Sequence, residues 1–80
     1  MTYCEVIKKR ITELCEKRKI SYNQLAQMSG VGQATISDIL NLKTKIPGLK
    51  TINELAHGFC MTASEFLNFP EMNEGIFEDE

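Results

Sequence analysis

Apolar residues recur at spacings of three and four along the chain, and no stretch shows the sustained alternation of a strand. Tyr3, Ile7, Ile11, Leu14 and Cys15 form the first stripe, with Lys8, Lys9, Lys17 and Arg18 off it, which predicts an amphipathic helix over 3–18. Ser21 and Gln24 then have the spacing of a capping box, in which each side chain satisfies the other's backbone N–H. The helix they open carries Leu25, Ala26 and Met28 on its buried side, and Gly30 suits the left-handed position that ends it. A third helix is predicted from about Gly32 to Asn41. Its apolar face is Ile36, Ile39 and Leu40, while Gln33, Ala34, Ser37, Asp38 and Asn41 fall mainly elsewhere. Pro47 and Gly48 make residues 43–48 a loop. Leu49, Ile52, Leu55, Ala56 and Phe59 mark a fourth helix, and a second capping box, Thr62 with Glu65, opens a fifth with Phe66, Leu67 and Phe69. Pro70 is expected to end the folded part, leaving residues 71–80 as a mobile acidic tail.

The length, 80 residues, fits one domain, 1–69, followed by the acidic segment 70–80. No apolar run approaches the roughly 20 residues of a membrane span, and the N-terminal residues lack the order of a signal peptide, so a cytoplasmic protein with no membrane association is expected. Cys4, Cys15 and Cys60 are odd in number and have no CxxC spacing. Buried thiols are expected rather than disulfides, and no metal site. The net charge of −2 argues against a nucleic-acid partner when taken as a sum, but its distribution does not. Residues 1–50 hold all nine Lys and Arg with four acids, a balance of +5, and residues 51–80 hold seven acids and no Lys or Arg. A chain so divided can present a basic face to phosphates.

The informative feature is the pair of short helices around Gly30-Val31-Gly32. Ala26 is small enough for the third helix to cross close by, and Leu25, Val31 and Ile36 can fill the space between. A turn of this length joins helices at roughly 90–120° and leaves one side of the third helix projecting. The run LAQMSGVGQATISDILNLKTKIP resembles the helix-turn-helix of the Cro/C1-type (XRE-like) bacterial and phage repressors. Its most specific parts are Leu25-Ala26, Gly30-Val31, Thr35-Ile36-Ser37 and Lys43-Thr44-Lys45-x-Pro47. With the flanking helices, residues 3–69 fit that family's compact all-α, five-helix, lambda-repressor-like domain.

The resemblance implies a sequence-specific transcriptional regulator, a repressor, that places its third helix in the major groove of double-stranded DNA. Gln33, in the first turn, can then pair with adenine, Ala34 can touch a thymine methyl, and Ser37 and Asp38 follow one turn on, with Thr35 also in reach of base edges. Ser21, Tyr22 and Gln24 at the start of the second helix, with Asn41, Lys43, Thr44 and Lys45 at the other end, are the expected phosphate contacts. Lys50 is a weaker candidate, and Lys8, Lys9 and Arg10 serve to keep the first helix soluble. A homodimer on a near-palindromic operator is expected from the family and the small size, with helix five supplying the dimer surface through Phe66 or Phe69. No cofactor or small-molecule ligand is implied.

Two positions depart from the family pattern. Cys15 and Leu40 stand where many members bury an Arg–Glu pair; both are apolar, so no charge is stranded and a Cys15–Leu40 contact is expected. Leu42 stands where glycine is frequent after the recognition helix, although leucine resists a left-handed backbone. His57 has no partner in the pattern and is expected at or near the surface. The acidic tail is either a solvated end, a segment that docks through Ile76 and Phe77, or a competitor of DNA. The rival functional reading is a protein-binding helix-turn-helix module, an antitoxin or anti-repressor component. An enzyme is not expected, since no nucleophile–base pair, metal spacing or phosphate-cradling loop is present.

Overall fold

The computed structural model describes residues 1–44, 46–75 and 77–78. Among them it is all-helical, with six helices: α1 (Tyr3–Arg18), α2 (Tyr22–Ser29), α3 (Gln33–Leu40), α4 (Leu49–Gly58), α5 (Ala63–Leu67) and α6 (Pro70–Glu74). Three starts are capping boxes. Ser21–Gln24 and Thr62–Glu65 form as the sequence predicts, and Thr2–Glu5 adds a third at the head of α1.

Helix ends are set by left-handed residues, and only one of those inside the five-helix core is a glycine. Gly30, at φ 77°, closes α2 with its N–H on the Ala26 carbonyl at 3.0 Å. Lys19, Leu42 and Cys60 adopt φ of 56°, 58° and 58° after α1, α3 and α4. At each, the following N–H reaches back five residues: Ile20 to Cys15, Lys43 to Asp38 and Met61 to Ala56. These are Schellman closures, which satisfy helix-end carbonyls at the cost of a strained backbone.

The core is one cluster drawn from α1 to α5. Ile11, Leu25, Ile39, Leu55, Ala56, Phe59 and Phe66 are fully buried, with the Phe59 and Phe66 rings stacked at 6.2 Å. Cys15 is buried in this cluster and Leu40 half-buried against it, so the two positions serve one core and no charge is stranded there. Burial pushes the Cys15 thiol up. The α1–α3 seam carries a further tie, from the Cys4 thiol to the Ile39 carbonyl at 3.5 Å. Helix α2 lies against α4, where Gly58 meets the backbone of Ser29.

Several expectations are corrected. Met28 and Leu49, assigned to buried stripes, are 52% and 77% exposed. Each sits at the edge of its stripe, next to a helix terminus, where it stays largely open. Tyr3 is half-buried and stacks on Phe77 with ring centroids 4.0 Å apart, outside the main cluster. Pro70 does not end the folded part: it occupies the first turn of α6, where its fixed φ is helical and its missing N–H has no partner to lose. Met72 packs on the core, Glu71 pairs with Lys9 and Phe77 covers Tyr3, so the segment after Pro70 folds back onto α1. Ile76 lies outside the described residues. Phe66 and Phe69 are 0% and 7% exposed, interior residues that cannot form a dimer surface. The expected solubilising role of Arg10 is also displaced. Its Nε donates to the Phe66 carbonyl at 2.7 Å and its Nη2 to the Glu65 carbonyl at 3.0 Å, closing the end of α5. Arg18 does the same for α4 through the Phe59 carbonyl.

Candidate nucleic-acid interface

The turn between α2 and α3 is held from both sides. Ser29 Oγ accepts from the Val31 N–H at 3.1 Å, and the Val31 side chain is buried beneath the turn. Ile36 and Ile39 are buried, which fixes the rotation of α3 about its axis. Every expected base reader on α3, namely Gln33, Ala34, Thr35, Ser37 and Asp38, is therefore exposed.

Two side chains of this face are not free to swing. Gln33 Nε2 donates to Asn23 Oδ1 of α2. Asn41 Nδ2 donates to both the carbonyl and the Oγ of Ser37, at 2.9 and 3.1 Å. Asn41, expected at phosphate, thus has its amide hydrogens turned back onto α3, while the Ser37 hydroxyl keeps its own hydrogen for another acceptor. Asn23 is a site residue that sequence reasoning missed. It is one exposed polar residue among several on a short helix, and only the crossing of the two helices brings it to Gln33.

The expected phosphate contacts fall at the two ends of this face. Ser21, Tyr22 and Gln24 are exposed at the start of α2. Ser21 Oγ and Gln24 Oε1 are engaged in the capping box, at 3.1 and 2.8 Å, which leaves the Gln24 amide hydrogens outward. Lys43 is exposed and Thr44 half-buried just past α3; Lys45 lies outside the described residues. The left-handed Leu42 turns the chain at this point, with its side chain 45% exposed.

Charge sorts the helices. α1, α5 and α6 each carry an acid in the first turn, while α2, α3 and α4 carry none. The positive ends of the helix-turn-helix pair and of α4 are therefore left without a neutralising carboxylate, which favours an external anion there. Lys9, Arg10 and Arg18 are engaged within the fold, and Lys43 is an exposed cation just past α3.

A helix-turn-helix with an exposed, polar third helix is the framework of a DNA-binding domain. Residues 10–71 match the Cro/C1-type HTH DNA-binding domain, most of the chain, and the protein belongs to that family. It is a DNA-binding protein of the transcription-regulator class. No curated protein matches the chain. Among the described residues, no helix is long and apolar enough to cross a membrane.

Proposed function

We propose that the protein is a sequence-specific repressor that binds double-stranded DNA as a homodimer and reads the major groove with α3. The observation that carries this reading is the Gln33–Asn23 hydrogen bond on an exposed first turn. An adenine presents one donor and one acceptor to a bidentate amide. With one Nε2 hydrogen on Asn23, Gln33 retains one N–H and its carbonyl oxygen, the matching pair, and its side-chain entropy is already spent. Ala34, Thr35, Ser37 and Asp38 complete the reading set. Ser21, Tyr22 and Gln24 on one side, and Lys43, Thr44 and Lys45 on the other, grip the flanking phosphates. Asn41 acts through Ser37.

Dimensions support the dimer. Half-sites one helical turn apart place recognition helices about 34 Å from each other, whereas this chain carries one such helix and measures 31 Å along its longest axis. With Phe66 and Phe69 in the core, the exposed Ile46 and Leu49, next to the phosphate loop, supply the apolar surface for the second copy. The operator is then near-palindromic.

Selection of bound duplexes from a random pool tests this directly. A recovered palindromic site is expected, with affinity falling steeply as salt rises through about 0.05 to 0.2 M. On that site Gln33→Ala changes base preference at one pair per half-site, a discrimination of about 1–3 kcal/mol. Lys43→Ala weakens all sequences alike. A pool that shows no enriched sequence would sink the proposal and favour a protein-binding module.

A further inference from the structure

Between the start of α2 and the outer side of α3 lies a notch of about 250 Å³, lined by Tyr22, Asn23, Gln33, Ile36, Ser37 and Leu40. We propose that it receives the 5-methyl group of a pyrimidine in the major groove. The protein then distinguishes thymine from uracil, and 5-methylcytosine from cytosine, beside the base pair held by Gln33. This rests on the DNA reading above and names what that face selects.

The chemistry of the lining limits the occupant. Its floor is hydrocarbon, from Ile36, 2% exposed, and the half-buried Leu40, with the Tyr22 ring as a wall. Its polar rim is partly engaged: Gln33 Nε2 donates to Asn23 Oδ1, and Ser37 Oγ accepts from Asn41 Nδ2. Among the described residues, no lysine, arginine or acid lines it, so they offer no charge to a phosphate. In the major groove, the pyrimidine 5-methyl is the base feature that neither donates nor accepts a hydrogen bond. Position supports the same occupant. Gln33, Ser37 and Leu40 are four and three residues apart, so the notch runs along the flank of α3 that Gln33 heads. A base adjacent to the one Gln33 pairs with is delivered to it.

The test uses the site recovered from the random pool and replaces each thymine in turn by deoxyuracil, which removes the methyl and preserves pairing. Affinity is expected to fall about fourfold at one position per half-site, the worth of one buried methyl-sized group. At that position, cytosine and 5-methylcytosine should differ by a similar factor. Ser37→Leu, an exposed substitution that fills the notch, should bring the thymine-to-uracil ratio to about one while thermal unfolding remains cooperative. Equal affinity for every uracil-substituted site, with Gln33→Ala still altering base preference, would overturn the notch and leave the reading by α3 intact. Failure to recover any site would instead overturn the DNA reading itself.

Discussion

Gly58 is where the structure makes its least forgiving demand on side-chain size. On an open helix surface, glycine to alanine stabilises by about 1 kcal/mol through backbone entropy. At Gly58 the new Cβ would stand 2.7 Å from Ser29 Cβ, 3.0 Å from its Cα and 3.2 Å from its backbone nitrogen. Carbon atoms in contact prefer roughly 3.5–4.0 Å, so the ends of α2 and α4 must part by about 1 Å. No rotamer change relieves this, because two of the three atoms are backbone and the third is fixed by it. Overpacking costs about 1–3 kcal/mol, and a clash with backbone belongs at the upper end. The balance is a loss of about 2 kcal/mol for Gly58→Ala, or roughly 8–16 °C in Tm for a domain of this size. Denaturant titration and thermal melting followed by helical circular dichroism measure both. A double-mutant cycle with Ser29→Gly isolates the cause. Ser29→Gly alone loses the bond to the Val31 N–H, but it removes the nearest atom, so the pair should couple favourably by about 1 kcal/mol. A Gly58→Ala protein as stable as the parent, or more so, would refute the reasoning.

Three further substitutions check the helix ends. Leu42→Gly relieves a left-handed leucine and should stabilise the fold by about 1 kcal/mol in denaturant titration; destabilisation would show that the Leu42 side chain contributes more than its strain. Arg10→Lys removes a planar group that donates to two carbonyls and stacks 5.1 Å from the Phe69 ring, and should cost about 1–2 kcal/mol; no change would reduce Arg10 to a solvated charge. Glu5 and Glu65 are held below the ordinary carboxylate value of 4.5 by the backbone N–H and hydroxyl of their capping threonines, and Glu71 by Lys9. Because the folded-state values are the lower ones, this stabilisation is complete above the unfolded value and drains away as pH falls below 4.5. Tm should therefore hold near neutrality and decline below about pH 4.5. Glu65→Gln, which keeps the box as Gln24 does in α2, should decline less steeply, and an identical decline would remove Glu65 from the account.

Local rules made much of this fold legible. The boxes at Ser21 and Thr62 and the left-handed Gly30 are each decided within a few residues, so sequence and structure agree on them. The Thr2–Glu5 box is the same local signal, directly ahead of the apolar stripe that starts at Tyr3. Pro70 shows where local reasoning fails in principle. Proline both follows helices and starts them, and only the packing of Met72 on the core and the pairing of Glu71 with Lys9 of α1 select the second role. Helical spacing placed Phe66 and Phe69 on an apolar face and could not say whether the chain itself or a second copy covers it. At the interface, exposure of Gln33, Ser37 and Asp38 was legible from the stripe opposite Ile36 and Ile39. The bonds that hold these side chains were not, because the Asn23–Gln33 pair depends on a crossing between two helices.

The same distinction bears on how an acidic protein grips DNA. The nine lysines and arginines of residues 1–50 set an upper limit of nine phosphate contacts per protomer. The structure withdraws three of them: Lys9 to Glu71, Arg10 to the end of α5 and Arg18 to the end of α4. Of the remainder, Lys43 and Lys45 fall between α3 and α4 in the chain, and Lys50 in the first turn of α4. The other contacts come from Ser21, Tyr22, Gln24 and helix N-termini, which carry no full charge and release few counterions. For the proposed dimer, about six neutralised phosphates give a slope of log affinity against log salt near −5, whereas nine per protomer would give about −16. A slope beyond about −10 would mean that α1 lies against the DNA as well, and would contradict a grip built from the α2 start and the loop after α3. A slope near −5 that loses about one unit per protomer in Lys43→Ala would support it, because each lost cation then counts as one phosphate.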